Sequence, residues 1–208
     1  MRIAVIVPIT GLNENDLAER AKALNSIKRR ETVIEFYRSA SGPPAIETRV
    51  DHDLAIPEVL RLAKQAEAER NDAAIIWCAG DPGLESAREL VDIPVVGPKQ
   101  ASLSIAMNLG NIPVMLPPPL PVLEMRKDLK KTLRLAERAG KVLIRDKNAD
   151  VLILGCMGFF GLSRKISEVL GVPVIDPAEA ALSVAETLAH LKLMHSRLTY
   201  PKYGPSSR

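Results

Sequence analysis

One seven-residue motif occurs twice in this chain, and its duplication limits the folds that the sequence can adopt. Residues 78–84 and residues 156–162 both read C-x-G-x-x-G-L, and a short apolar run precedes each copy, at residues 73–77 and 151–155. Of the 29 residues from 78 to 106, eleven are identical to their counterparts. Ordinary composition would give roughly two identities by chance. We therefore interpret the two stretches as copies of one internal repeat.

The pattern of apolar residues predicts strands that alternate with helices. Residues 3–7 have the composition of a buried parallel strand, and residues 32–37 are predicted to form a second strand. Helical periodicity predicts helices at residues 16–28, 58–70, 124–147 and 179–198, the third with a possible interruption at Gly140. Strands joined by right-handed helical crossovers form parallel sheets with helices on both faces. The sequence predicts an α/β fold of two three-layer α/β/α lobes, related by a pseudo-twofold axis, with the active site in the cleft between them.

The boundary between the two lobes is expected near residues 103–111. The apolar run at residues 112–116 opens the second half, as the run at the chain's start opens the first. We assign residues 1–103 together with residues 189–208 to a first lobe, and residues 104–188 to a second lobe. The tail from Thr199 onward is expected to lie on the surface.

Composition and charge exclude several classes of protein. The formal net charge is +3 and aromatic residues make up 3%, with no basic stripe interleaved with aromatics, so nucleic-acid binding is not predicted. No apolar run approaches the roughly 20 residues of a membrane span, and the apolar start is too short for a signal peptide. We expect a cytoplasmic protein without a membrane partner, in which both thiols stay reduced.

The two cysteines of the chain, Cys78 and Cys156, hold equivalent places at the ends of predicted strands. Glycines follow each, so backbone N–H groups can turn toward the sulfur or toward a ligand. Such donors and nearby helix N-termini stabilise a thiolate, which predicts pKa values below the free value of about 8.5. Two thiols facing one carbon can remove a proton from one side and return a proton from the other, as a two-base racemase requires. Neither step needs pyridoxal phosphate or a metal, so no cofactor is predicted.

The predicted substrate contacts lie beside the cysteines and at the end of the first strand; they are Pro8, Thr10, Ala79, Gly80, Met157 and Gly158. Other interpretations stay open. Both cysteines can be buried core residues, as cysteine often is. Thr10 can lie near a ligand, or the segment can serve only to cap the next helix through Asn13 or Asn15. The tripeptide at residues 51–53, Asp-His-Asp, does not have the spacing of a metal site.

Three segments resemble the aspartate/glutamate/hydantoin racemase superfamily, and within it the hydantoin and allantoin racemases. Residues 78–84 are similar to the C-F-G-D-P-G-L motif of that branch. Gly42-Pro43 with Ile46-Glu47 resembles its G-P-x-S-I-E segment, and residues 155–159 resemble its G-C-A-G-M. The resemblance implies two Rossmann-like lobes, isomerisation without a cofactor, homo-oligomers, and acid and base roles for Cys78 and Cys156.

Two departures from the family pattern concern the substrate. The usual N-P-N-T at the end of the first strand is Val7-Pro8-Ile9-Thr10 here, and the usual Thr-Thr pair of the second lobe is Leu116-Pro117. In the family, the polar residues at these positions are expected to bind the substrate's ring or carboxylate, and this chain lacks them. The resemblance therefore suggests conserved chemistry on a changed substrate.

The leading hypothesis is a racemase or epimerase acting on a carbon next to a carbonyl, with 5-substituted hydantoins as the best single substrate. The alternatives are a decarboxylase or a cis-trans isomerase on the same fold, and a non-catalytic ligand-binding relative. Decarboxylases of this superfamily use one cysteine, which argues against that reading. Whether Thr10, Glu47 or His52 contacts the ligand stays open.

Overall fold

The computed structural model describes residues 1–204; residues 205–208, which include Pro205 of the predicted tail, lie outside the described residues. Strands and helices alternate along the first half as β1 (Arg2–Val7), α1 (Glu14–Ile27), β2 (Val33–Arg38), α2 (Arg49–Ala68), β3 (Ala73–Ile76), α3 (Leu84–Leu90), β4 (Val95–Val96) and α4 (Pro98–Ala106). The second half contains β5 (Pro113–Leu116), α5 (Leu129–Lys147), β6 (Val151–Leu154), a 3-10 turn (Met157–Phe159), α6 (Ser163–Leu170), β7 (Val174–Ile175) and α7 (Pro177–His190).

The strands form two parallel sheets, one in each half of the chain. The first sheet has the order β2-β1-β3-β4 and the second has the order β5-β6-β7. In the first sheet Ile3 lies opposite Ile34 on one side and Ala73 on the other. In the second sheet Leu152 lies opposite Val114 and Val174. The predicted α/β fold with two parallel sheets is confirmed.

The side chains of β1 alternate between two cores. Ala4 and Ile6 pack with buried residues of α2 and α3 on one face. Ile3 and Val5 point to the other face, into a larger core that also holds Ile153 of β6 and the buried residues of α7. A third core lies under α5 and α6 in the second half. The large core therefore belongs to both sheets, and its burial joins the two halves of the molecule.

The last helix of each half crosses to the sheet of the other half. Helix α4 follows β4 of the first sheet but contacts β6 of the second, and α7 follows β7 but contacts β3 and β4 of the first. The two helices also pack extensively against each other. The division into residues 1–103 with 189–208 and residues 104–188 stays a prediction.

Three predicted helix bounds are wrong. Helix α2 begins at Arg49, nine residues before the predicted start, because Thr48 and Asp51 form a capping box and Pro57 is accommodated inside the helix. Helix α5 begins at Leu129 after the Asp128 cap and runs unbroken through Gly140. Helix α7 ends at His190.

The segment after α7 packs on the first lobe. The N–H of Val95 donates to Nε2 of His195 over 2.8 Å, and Arg197 donates to the carbonyl of Arg88 over 2.9 Å. The N–H of Tyr203 donates to the carbonyl of Glu89 over 2.9 Å. These bonds hold the end of the described chain against α3 and β4.

Candidate active site

The two cysteines occupy equivalent positions, each two residues beyond the carboxyl end of a central strand of its sheet. Cys78 follows β3 and Cys156 follows β6. Carboxyl ends of parallel strands are the edge at which open α/β sheets bind ligands. Both thiols are free; Cys78 is half-buried and Cys156 is buried.

Each sulfur accepts a hydrogen bond from the backbone N–H two residues later. The N–H of Gly80 lies 3.4 Å from Sγ of Cys78, and the N–H of Gly158 lies 3.3 Å from Sγ of Cys156. This geometry agrees with the expectation that N–H groups after each cysteine turn toward its sulfur. The duplication of the motif in the sequence is thus a duplication of a thiol with one backbone donor.

Both cysteines border a single cavity of about 560 Å³. Its walls come from both halves of the chain and are mostly apolar; they include Ile9, Leu12, Ile46, Trp77, Met115, Leu120, Val122 and Gly155. A volume of this size is within the range of sites for small molecules. Two contacts tie the halves together nearby, since Glu47 Oε1 accepts from the N–H of Val122 over 2.9 Å and Arg126 Nε donates to Glu19 over 3.0 Å.

The predicted substrate contacts divide into two groups. Ala79, Gly80, Met157 and Gly158 line the cavity beside the thiols. Pro8 is buried and Thr10 is exposed, and neither is part of the lining. The hydroxyl and the N–H of Thr10 both donate to the carbonyl of Pro43. Asn13 caps α1, as the alternative interpretation of this segment predicted. The end of β1 contributes Ile9 to the cavity instead.

The residues considered as open cases also have definite positions. Glu47 lines the cavity. Asp51 completes the capping box of α2 by accepting from the N–H of Thr48 over 2.9 Å. Nδ1 of His52 lies 3.0 Å from Asp53, and the His52 ring approaches Gly80. Among residues 1–204, no three side chains of the metal-binding types are grouped closely enough to hold an ion.

The pKa values of both thiols shift opposite to the expectation. Burial raises the pKa of Cys78 to about 12, with a smaller upward contribution from Cys156. Burial also raises the pKa of Cys156. The N–H groups of Gly80 and Gly158 act in the expected direction, and so do the charges of Lys99 and Arg20, but they do not offset the loss of hydration. The prediction of low thiol pKa values was wrong because burial costs each thiolate more hydration than the N–H donors and the nearby charges restore.

Two cavity residues that carry charge were missed by the sequence analysis. Arg20 comes from α1 and Lys99 from the first turn of α4. Arg20 had a detectable signal, because it follows Leu17 by three residues and precedes Leu24 by four, within the buried stripe of the helix. Lys99 had a weaker signal, namely that it is a charged residue at a position where the second copy of the repeat has the uncharged Ala178.

Carboxylates hold both cysteine loops against the helices that follow. Asp81, in the left-handed conformation at φ 55°, accepts from the N–H groups of Lys99 and Gln100 over 2.9 and 3.0 Å. In the second half Asp176 accepts from the N–H of Gly161 over 2.6 Å and caps α7. Each loop is therefore fixed to the start of α4 or α7, which limits the movement of the sulfur.

Comparison with known proteins agrees with this architecture. The model of the Asp/Glu/hydantoin racemase family matches residues 14–116 and 112–185. The chain is 33% identical over 98% of its length to the hydantoin racemase of Pseudomonas sp. (strain NS671), covering 92% of that protein. It is 33% identical over 95% of its length to the hydantoin racemase of Paenarthrobacter aurescens, covering 94% of it.

A solved structure supports the same assignment. The allantoin racemase from Pseudomonas fluorescens superposes with a TM-score of 0.90 at 27% identity, over 99% of this chain and 98% of that one. Fold, sequence and the matched segments therefore agree: the chain belongs to the Asp/Glu/hydantoin racemase family, in its hydantoin and allantoin racemase branch, and is an isomerase of the racemase type.

Proposed function

We propose that the protein racemises 5-substituted hydantoins, with Cys78 and Cys156 as the two proton-transfer groups. The observation that carries the proposal is that the two thiols, one from each half of the chain, border the same cavity. The names of the relatives point to the same substrate class. The missing polar residues at the ends of β1 and β5 bear on which hydantoin is bound rather than on the reaction.

The reaction is a transfer of one proton out and one proton in. The thiolate of one cysteine takes the proton from C5, and the electron pair of that C–H bond passes into an enolate with the C4 carbonyl. The thiol of the other cysteine then donates its proton to the opposite face of C5. The first cysteine ends as a thiol and the second as a thiolate, so the next turnover in this direction needs a proton exchange with water.

The raised thiol pKa values have two opposite effects on catalysis. A carbon next to a carbonyl is a weak acid, so a more basic thiolate removes its proton more readily, but a higher thiol pKa leaves less thiolate at neutral pH. Burial makes each thiolate a stronger base than a free thiolate. The positive charges of Lys99 and Arg20 offset part of the cost of forming the thiolate beside them.

The apolar cavity wall supports a substrate with an uncharged ring and a side chain of moderate size. Ile9, Trp77 and Met115 offer surface for a 5-substituent. Glycine backbone at residues 80 and 158 leaves room for the ring to approach the sulfurs. The cavity is larger than a hydantoin ring alone, which leaves space for the substituent.

The test is to replace each cysteine by alanine and follow C5 in deuterated solvent by proton NMR and chiral chromatography, with the uncatalysed rate subtracted. We expect C78A and C156A each to lose racemisation of both enantiomers. Any exchange that remains should affect a single enantiomer, opposite in the two variants, because one thiol faces each side of C5. S104A, an exposed change on α4, is the control. Undiminished racemisation in either cysteine variant would refute the mechanism.

Two further predictions extend this proposal. We expect a cytoplasmic enzyme from the sequence patterns described above, and we expect a homo-oligomer because the resemblance to the family implies one. Within residues 1–204, the helices are all too short or too polar to cross a bilayer. Size-exclusion chromatography with light scattering would give the number of subunits.

A further inference from the structure

Arg20 is a buried cation whose hydrogen bonding is incomplete. It comes from α1, only 5% of its surface is exposed, and it lines the cavity that holds the two thiols. Its Nη1 donates to the carbonyl of Asp16 over 2.6 Å. Its Nε is buried and has no hydrogen-bond partner in the described part of the chain. A buried guanidinium with an unpaired N–H is costly, and a negative charge in the adjoining cavity would offset part of that cost.

The surroundings of Arg20 make its charge more costly still. Burial is the largest influence that lowers the pKa of Arg20, and the nearby charge of Arg126 lowers it further. Both guanidinium groups lie over the ring of Phe160, at 5.4 Å for Arg20 and 3.7 Å for Arg126. Asp16 and Glu19 act in the opposite direction, but Glu19 is already paired with Arg126. An incoming anion would therefore find a cation that is only partly neutralised.

The side chains of the cavity wall carry a net positive charge. Lys99 is a second cation in the wall. Glu47 is the carboxylate of that wall, and its Oε1 already accepts from the N–H of Val122. The rest of the lining is mainly apolar. Such a cavity suits a ligand that has one negatively charged group and an otherwise uncharged body.

We propose that Arg20 forms a subsite for a carboxylate carried on the 5-substituent of the substrate, so that the preferred substrates are hydantoins of acidic side chains. This inference rests on the proposed function, because it names the substrate class of that same site. The recognition comes from the guanidinium charge of Arg20 at the cavity wall, since its Nε is closed off from solvent and from a ligand in the cavity. Ile9 and Met115, at the ends of β1 and β5, provide no polar group for this purpose.

Two nearly isosteric ligands test the proposal. The hydantoins 5-(2-carboxyethyl)hydantoin and 5-(2-carbamoylethyl)hydantoin differ by one negative charge. Isothermal titration calorimetry with the racemic ligands measures binding without net conversion, and chiral chromatography of a single enantiomer measures racemisation. We expect the wild-type protein to bind the carboxylate roughly tenfold more tightly or better, as an ion-assisted hydrogen bond would give.

Variants of α1 separate recognition from other effects of charge. R20Q should lose the preference for the carboxylate, and R20K, which keeps the charge but not the planar guanidinium, should retain part of it. K22Q removes a positive charge from an exposed position of the same helix and should keep the wild-type preference. Circular dichroism checks that each variant is folded, and R20K provides the test if R20Q does not fold.

Several outcomes would overturn the subsite. They are equal binding of the two ligands by the wild-type protein, binding of neither, an unchanged preference in R20Q, or, if R20Q does not fold, a full wild-type preference in R20K. If R20Q lost racemisation of both substrates equally but kept the binding preference for the carboxylate, Arg20 would act on Cys156 alone. Racemisation of both ligands without a preference would leave the proposed reaction standing, whereas a charge preference without racemisation would leave only the subsite.

Discussion

The Asp81 carboxylate occupies the space that a Cβ atom on Gly97 would need. A Cβ built on Gly97 would lie 2.5 Å from Cγ of Asp81 and 2.6 Å from Cδ2 of Leu84. In the second copy of the repeat, the residue equivalent to Gly97 is Asp176, and the residue equivalent to Asp81 is Phe159. The carboxylate that fixes the cysteine loop thus comes from the loop in the first half and from the start of the helix in the second. One half of the molecule cannot use both arrangements, because the Cβ of a residue at position 97 would occupy the space of the Asp81 carboxylate.

The first prediction concerns this junction. G97A should destabilise the protein by about 1–3 kcal/mol, because the new methyl group displaces the buried Asp81 carboxylate from the N–H groups of α4. Urea unfolding measures the loss. G80A is the control, because its Cβ would meet nothing closer than 3.5 Å. Equal stability of G97A and the wild-type protein would contradict the packing described here.

The second prediction concerns the pH dependence of Cys78 reactivity. Since the thiolate is the nucleophile and burial raises the pKa of Cys78 to about 12, alkylation of folded C156A by iodoacetamide should keep rising from pH 7 to pH 10 without a plateau. The same thiol in urea should level off above its free pKa of about 8.5. Mass spectrometry of the peptide containing Cys78 gives both rates. A midpoint below pH 8 in the folded protein would show that the thiolate is stabilised after all.

The third prediction concerns acid stability. Burial and the charges of Arg88 and Arg197 lower the pKa of His195 from 6.5 to about 4, and its Nε2 must stay unprotonated to accept from Val95. As the pH falls from about 6.5 to 4, the unfolded chain binds a proton at this residue while the folded chain does not, so stability is lost over that range. H195Q, whose side-chain oxygen can accept the same hydrogen bond, should lose less stability over this range.

Unfolding in urea at several pH values measures the effect of His195. H190Q is the matched control, because His190 is exposed at the end of α7 and should leave the wild-type profile unchanged. Parallel profiles of H195Q and the wild-type protein between pH 6.5 and 4 would rule out this contribution.

The fourth prediction concerns Arg126, which supports the second cysteine loop. Its Nη1 donates to the carbonyls of Gly158 and Phe160 over 3.4 and 3.2 Å, and its guanidinium stacks on the Phe160 ring. R126Q should lose about 1–2 kcal/mol of stability and lower kcat, because the loop carrying Cys156 is less firmly held.

Steady-state racemisation and urea unfolding measure the two effects of Arg126. K127Q, at the exposed neighbouring position, is the control and should behave like the wild-type protein. If R126Q matched K127Q in both measurements, the contacts of Arg126 would have no role in supporting the loop.

Much of the architecture was predictable because it depends on local patterns. The apolar runs before the cysteines became β3 and β6, and the repeat placed Cys78 and Cys156 at matching strand ends. The helix bounds were less predictable. The start of α2 depends on the Thr48 cap, and Gly140 is tolerated in α5 because it packs closely against Leu170 of α6.

The sequence by itself determined the two parallel sheets, the equivalence of the two thiols and the motif donors beside each sulfur, because these follow from strand periodicity and from residues adjacent in the chain. Only the tertiary structure decided which helix covers which sheet, that Arg20 and Lys99 enter the cavity, and that the thiol pKa values rise. Those properties depend on burial between segments more than a hundred residues apart, such as α1 with the Cys156 loop. Desolvation is a property of the assembled cavity, and no local pattern carries it.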